Sequence, residues 1–406
     1  MMSLAGVALA SPGNAAPEAS PSTGQIIVKF RDNAAAPGQL RQHGLEPGTT
    51  IGSTGAVLVK MPAGKEGQLI EGLSRNPNVE YAEPDEPVSA ATSDPYFERQ
   101  YALHNVGQSF TNTANTVTVA AGTKDADVDA VAAWDITRGS GTKVAIIDSG
   151  VAIDHEDISH KVVARVNFSD TIIDEPADYD RYGHGTHVAG IVAAEHNSAG
   201  VAGVCPDCTI LDVKVLDDAG AGSSSAVAEG IDWAVANGAK VINMSLGQSV
   251  PSLTLEAAIK NAWNKGVVLV AAAGNAGTEA KIYPAAYPKV IAVAATDNKD
   301  VKAPFSSHGE WVDVAAPGVD VYSTFPNHDF VLGLQNGRHK GYDLASGTSM
   351  ASPIVAGVAA LVWSSDPDST NKSVREDIES TADPIEGTGT YWEHGRVDAD
   401  DAVSEE

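Results

Sequence analysis

The chain has 406 residues, with 39 Gly, 21 Pro, 43% hydrophobic residues and a formal net charge of −27. That apolar share supports a buried core rather than a disordered chain, and the length allows one large domain or two to three ordinary ones. The acidic balance excludes nucleic-acid phosphates as partners, because they require Lys and Arg stripes, and no apolar run approaches the roughly eighteen residues of a membrane span.

Residues 4–10 form a short apolar run followed by Ser-Pro-Gly-Asn. The run resembles the latter half of an export signal, although no Lys or Arg precedes Lys29, and residues 1–23 are read as a signal-like or disordered segment. Residues 25–30, 56–61 and 79–81 read as strands, and residues 35–44 and 65–74 as helices. Together residues 24–90 make a small α+β unit, near the lower size limit for folding alone. From Thr92 the texture changes. Apolar, β-branched runs at 144–147, 211–215, 241–244, 267–272 and 290–294 alternate with helical patterns at 184–195, 224–236 and 253–264. Continuous apolar strands between helices predict an α/β fold over residues 91–406, with a mostly parallel sheet covered on both faces. Reactive groups should then collect at the carboxyl ends of the strands.

Three segments place a reactive side chain at such an end. Asp148 closes an apolar strand before Ser149-Gly150, His184 opens a helix after Tyr182-Gly183, and Ser349 opens a strongly apolar helix after Gly347-Thr348. Serine is a poor nucleophile until an imidazole takes its proton, and that imidazole needs a carboxylate to fix its tautomer. Asp, His, Ser is one of the chain orders in which this triad occurs. A fourth segment, ending a strand at Gly274-Asn275, exposes an amide. Taken singly, each has an ordinary structural role as turn, cap or loop. All four in one register point to catalysis. His187, one helical turn beyond His184, reads as structural.

These motifs resemble the subtilases, the subtilisin-like serine proteases, and most closely their thermitase-like branch. The resemblance covers residue 92 to the C-terminus, and the unit before it resembles the family's inhibitory propeptide. It implies a subtilisin-like three-layer α/β fold and a secreted, monomeric serine endopeptidase made as a zymogen. In it Asp148 orients the base, His184 is general base and acid, Ser349 is the nucleophile, and Asn275 donates to the oxyanion. The propeptide would be an intramolecular inhibitor and chaperone, with residues 87–90 in the cleft and autocatalytic cleavage near Ala90, Ala91 or Thr92.

The resemblance also implies that substrate peptide lies as an added strand between Gly220-Ala221-Gly222 and Ser245-Leu246-Gly247. Ala272, Ala273 and Gly274 would wall the primary specificity pocket. Ile282 would stand at its floor, where a branched side chain favours small or medium apolar residues over aromatics. Gly220-x-Gly222 is no dinucleotide fingerprint, since Ser225 fills the third glycine position. A structural calcium ion is implied at Asp94, Asp157, Glu195, Asn197, Ala199 and Val201, the loop supplying backbone carbonyls and the Asn side chain. Six to eight oxygens suit that ion. Residues 170–180 offer either a second ion site or a solvated acidic loop.

Residues 327–340 read as an insertion of about ten residues near the leaving-group side, where long loops are often functional. Cys205 and Cys208 are the only cysteines, and a local disulfide or two inert thiols are the readings for a secreted chain. Two rivals fail on the residues. A non-catalytic module would have lost a triad member, and an α/β-hydrolase elbow needs a second glycine where Ala351 stands. Residues 1–90 carry 9 acidic and 6 basic side chains, whereas residues 91–406 carry 44 and 20, so the acidity belongs to the catalytic part.

Overall fold

A computed structural model describes residues 25–32, 38, 40–41, 45, 48–60, 66–85, 94–174, 179–366 and 368–404. The expected signal-like segment, the cleft strand at 87–90 and the cleavage positions 90–92 lie outside these residues. The chain divides into two compact units between Ala91 and Thr92.

The first unit is a four-stranded antiparallel sheet with one helix. Strands β1 (Gln25–Phe30), β2 (Thr50–Ile51), β3 (Ala56–Lys60) and β4 (Val79–Pro84) lie in the order β2-β3-β1-β4, and α1 spans Glu66–Ser74. Within the helix expected at 35–44, the described residues 38, 40 and 41 are helical. Alternate residues of β1 point inward: Ile26, Val28 and Phe30 join Leu40, Val57, Val59 and Leu73 in a core of its own.

The second unit is built on eight parallel strands. In chain order these are β5 (Lys143–Asp148), β6 (Val162–Asn167), β7 (Thr209–Lys214), β8 (Val241–Met244), β9 (Val268–Ala272), β10 (Val290–Thr296), β11 (Val314–Pro317) and, after an antiparallel hairpin of β12 (Val321–Thr324) and β13 (Tyr342–Ala345), β14 (Gly395–Arg396). Across the sheet they run β14-β11-β10-β9-β8-β5-β7-β6. The period of two sorts β5 between two cores. Val144 and Ile146 pack with helices α2 (His184–Ala193) and α6 (Thr348–Ser365); Ala145 and Ile147 pack with α3 (Ser224–Ala236) and α4 (Leu253–Asn264). Three layers result, and each fully buried Val or Ile contributes about 1.5–3 kcal/mol. Ser223 and Ser252 cap α3 and α4 by accepting from Ala226 N–H and Leu255 N–H.

Helix α6 corrects one expectation. Its eighteen residues are apolar enough, by length and composition alone, to cross a membrane. They are 83% buried inside the protein instead, packed against the sheet as its central core helix. Cys205 and Cys208 are disulfide-bonded, completing the local bridge that was one of two readings.

Strand order reverses at β5. The chain leaves it for β6 and β7 on one side and returns to β8 on the other, which opens a crevice beyond the carboxyl ends of β5 and β8.

Candidate active site

Asp148, the last residue of β5, reaches this crevice fully buried. His184 opens α2, and its Nδ1 lies 2.8 and 2.9 Å from the two carboxylate oxygens of Asp148. With Nδ1 held as the protonated nitrogen, Nε2 is left to accept a proton. Burial presses the pKa of His184 down, but the charge and hydrogen bond of Asp148, with Asp180 behind them, outweigh it, and the net value lies above that of an ordinary imidazole. Ser349 is the second residue of α6, among the unpaired N–H groups of a helix start. Its Oγ donates to the Ser245 carbonyl at 3.2 Å, and Ser245 Oγ donates to the Ser349 carbonyl at 2.8 Å. The end of β8 and the start of α6 are thereby tied together.

Asn275 follows β9 and is held by one neighbour. Its Oδ1 accepts from both the N–H and the hydroxyl of Thr348, each at 2.9 Å, while Thr348 Oγ1 accepts from Gly274 N–H at 3.0 Å. With Oδ1 engaged, the Nδ2 donor is the free end of the amide. Sequence reading found Asn275 but not Thr348, although Thr348 adjoins the serine.

Asp180 was missed as a site residue and was grouped instead with a possible second ion loop. It is fully buried, and its carboxylate accepts from Ser149 Oγ and Gly183 N–H, both at 2.8 Å, and from Thr186 N–H at 2.9 Å and the Thr186 hydroxyl. These bonds cap α2, whose first residue is His184, and fasten it to the residue after Asp148. Asp180 is therefore committed to protein donors and is withdrawn from any ion site; residues 175–178 of that segment lie outside the described residues.

A model of the subtilase family matches residues 139–403. The chain belongs to the subtilase family. A model of the fervidolysin N-terminal prodomain matches residues 10–85. Thermitase of Thermoactinomyces vulgaris is 50% identical over 277 residues, covering 68% of this chain and 93% of that protein. A thermophilic serine proteinase of Bacillus sp. (strain AK1) is 41% identical over 389 residues, 94% of this chain and 87% of that one. Among solved structures, a protease of Pseudoalteromonas arctica PAMC 21717 superposes with a TM-score of 0.65 at 29% identity, over 78% of this chain and 99% of that one. This subtilase is thus a subtilisin-like serine protease, a peptide hydrolase with an N-terminal prodomain.

A cleft of about 720 Å³ in the subtilase brings together His184, Ser349, Asn275, Gly220, Ala221, Gly222, Ser245, Leu246 and Gly247. Gly220, at φ +75°, faces the ring of Tyr182, where a Cβ would meet the ring carbon Cζ at 2.3 Å. Ala272, Ala273, Gly274 and Ile282 do not line this cleft, contrary to the expected pocket walls. Ala272 and Ala273 are buried, Ala273 packing with Ala294, Val312, Ala315 and Trp392. Ile282 instead plugs the gap between the two glycines. A Cβ on Gly247 would meet its Cγ2 at 2.4 Å, and one on Gly274 would meet its Cγ1 at 2.8 Å. Ile282 thereby occupies the space between Gly247 and Gly274. His187 is fully buried as expected, its Nε2 meeting the Asp343 carbonyl at 3.3 Å and its pKa lowered to about 3, chiefly by burial.

Away from the cleft, the expected calcium residues gather in one place. Asp94 Oδ1 accepts from Asn197 N–H and Ser198 N–H, and Asp157 Oδ2 accepts from Val201 N–H. The other oxygen of each, Asp94 Oδ2 and Asp157 Oδ1, is buried without a hydrogen-bond partner. Gly200 (φ +56°) lets the loop close on them, since a Cβ there would lie 2.3 Å from Asp157 Oδ2. Two buried carboxylate oxygens without hydrogen bonds beside a curled loop, one of them 3.8 Å from His196 Nε2, fit a hard cation. The side chain of Glu195 turns elsewhere, bonded to His160 at 2.7 Å and to Asn197 Nδ2 at 3.0 Å. Only its backbone carbonyl is left to serve an ion.

Proposed function

We propose that the protein is a secreted serine endopeptidase acting through Asp148, His184 and Ser349, made as a zymogen with residues 24–90 as its inhibitory propeptide. The observation that carries this reading is His184 Nδ1 bonded to both oxygens of a fully buried Asp148, at the start of a helix whose imidazole lines the same cleft as Ser349. The Ser349 hydroxyl rotates from the Ser245 carbonyl to His184 Nε2, which takes its proton as Oγ attacks the peptide carbonyl. The oxyanion that forms accepts from Asn275 Nδ2 and the Ser349 N–H. His184 then gives its proton to the departing amine as the carbon–nitrogen bond breaks, and water repeats the cycle on the ester.

The peptide on the acyl side pairs with residues 220–222 and 245–247, and Ile282 limits the residue before the scissile bond to small or medium apolar types. Asp94, Asp157, Asn197 and the carbonyls of Glu195, Ala199 and Val201 hold a structural calcium ion that neutralises the buried pair. The acidic surface of the catalytic unit suits an extracellular enzyme. An active-site fluorophosphonate tests the catalytic reading. Labelling of Ser349 alone is expected, with Ser349→Ala both unlabelled and left as an uncut precursor. Labelling elsewhere, or maturation of pure Ser349→Ala, would overturn it.

A further inference from the structure

The segment 327–340 is a strap fastened to the turn that precedes His184. Val331 N–H donates to the Arg181 carbonyl at 2.8 Å and Leu332 N–H to the Tyr182 carbonyl at 3.2 Å. Phe330 stacks on Phe325 with ring centroids 4.7 Å apart and lies against Gly183, where a Cβ would come within 2.3 Å of its Cδ2. Asn327 Nδ2 donates to Glu156, His328 Nε2 meets the Asp180 carbonyl at 3.2 Å, and Lys340 pairs with Asp329 at 2.7 Å. So fixed, the strap carries a short helix α5 (Val331–Asn336), and Leu332, Asn336 and Arg338 form part of the cleft wall with Phe325 and Leu344. With the acyl side of the substrate assigned above to segments 220–222 and 245–247, the strap's share of the cleft wall is assigned to the leaving-group side.

Arg338 stands out within it. Its backbone N–H is bonded to the Gly333 carbonyl, but its guanidinium has no hydrogen-bond or ion-pair partner among the described residues. Among those residues no Asp or Glu lines the cleft, and Arg338 is its one permanently charged side chain. In a chain of net charge −27, which repels acidic peptides at long range, an unpaired cation in the substrate cleft is a local exception. A guanidinium presents a planar fork of donors that matches a carboxylate.

Resting on the endopeptidase reading above, we propose that the strap makes Arg338 a specificity-determining residue on the leaving-group side, selecting substrates with a carboxylate side chain within the first two residues after the scissile bond. The test uses internally quenched peptides with a small apolar residue before the scissile bond, identical except for Glu, Gln or Lys after it. Their kcat/KM values are measured for the mature enzyme and for Arg338→Gln and Arg338→Glu, with active sites counted by fluorophosphonate. The expected result is a preference for Glu over Lys of about fivefold, lost in Arg338→Gln, reversed in Arg338→Glu and weakened in molar salt. The same Glu-to-Lys ratio in all three enzymes overturns the proposal. So does a uniform fall for every peptide, which would make Arg338 a positioning residue instead. Failure of the unmutated enzyme to cleave any of the peptides or to take the label overturns the endopeptidase reading itself.

Discussion

Replacing Thr348 by Val keeps the shape of a fully buried side chain but removes one oxygen with two bonds. The Asn275 amide would keep one of its two anchors, the Thr348 N–H at 2.9 Å, and lose the hydroxyl at the same distance. Losing an oxyanion donor outright costs about 2.7–4 kcal/mol, a magnitude measured in a subtilisin. Losing one of two anchors forfeits roughly one hydrogen bond of orientation, about 1 kcal/mol, so kcat should fall about five- to tenfold with KM little changed. Gly274 N–H also loses its acceptor, which should cost about 1 kcal/mol or more of stability. The decisive assay is a double-mutant cycle with Asn275→Leu. If Thr348 acts by orienting Asn275, adding Thr348→Val to Asn275→Leu should change kcat by no more than about twofold. A full tenfold loss in that background would show that Thr348 acts by another route and would refute the orientation argument.

Three further outcomes are expected. Ile282→Ala should empty the space against Gly247 and Gly274 and raise kcat/KM for Phe relative to Ala before the scissile bond by about tenfold or more; an unchanged ratio on a peptide panel would rule out Ile282 as the floor. Because Asp148 holds the pKa of His184 above the usual imidazole value, the protonated, inactive base persists above pH 6.5, so the acidic limb of kcat/KM should lie higher than that. Asp148→Asn should move this limb to lower pH besides costing about 10⁴ in kcat, and a pH–rate profile whose limb stays put would contradict the charge argument. Calcium chelation should lower Tm by several degrees through the Asp94–Asp157 pair, and Asp157→Asn should shrink that difference. A melting curve indifferent to chelator would remove the ion.

Strands β5, β9 and β10 were legible as apolar runs buried on both faces, and β7 and β8 because Leu211, Val213, Val241 and Ile242 carry the pattern past the buried Asp212, Lys214 and Asn243. The edge strands β6 and β14, and the short β11 beside β14, were not. β6 is half exposed and carries Arg165, β11 has four residues and ends in Pro317, and β14 is only Gly395-Arg396. The sheet recruits these by pairing with an ordered neighbour, a tertiary effect with no periodic signal of its own. At the site, the Asp148, His184 and Ser349 segments could be read because each reactive residue stands where a strand ends or a helix begins. The groups that aim them could not. Thr348 meets Asn275 from a distant part of the chain, and Asp180 looked like a surface carboxylate until its four donors closed around it. The position of Ile282 was anticipated, but not that it would exclude the pocket walls from the cleft.

The contact between Phe330 and Gly183 sets a condition on redesign. A loop that reads substrate is usually treated as an exchangeable cassette, grafted from one scaffold to another to change selectivity. Here the cassette has a second terminal, because its aromatic ring occupies the space a side chain at residue 183 would need, one position before the imidazole. A replacement loop without an aromatic at 330 leaves a void beside the base, and any residue but Gly at 183 ejects the existing loop. The strap and the turn before His184 are mechanically geared in this molecule, so the two positions should be exchanged together or not at all.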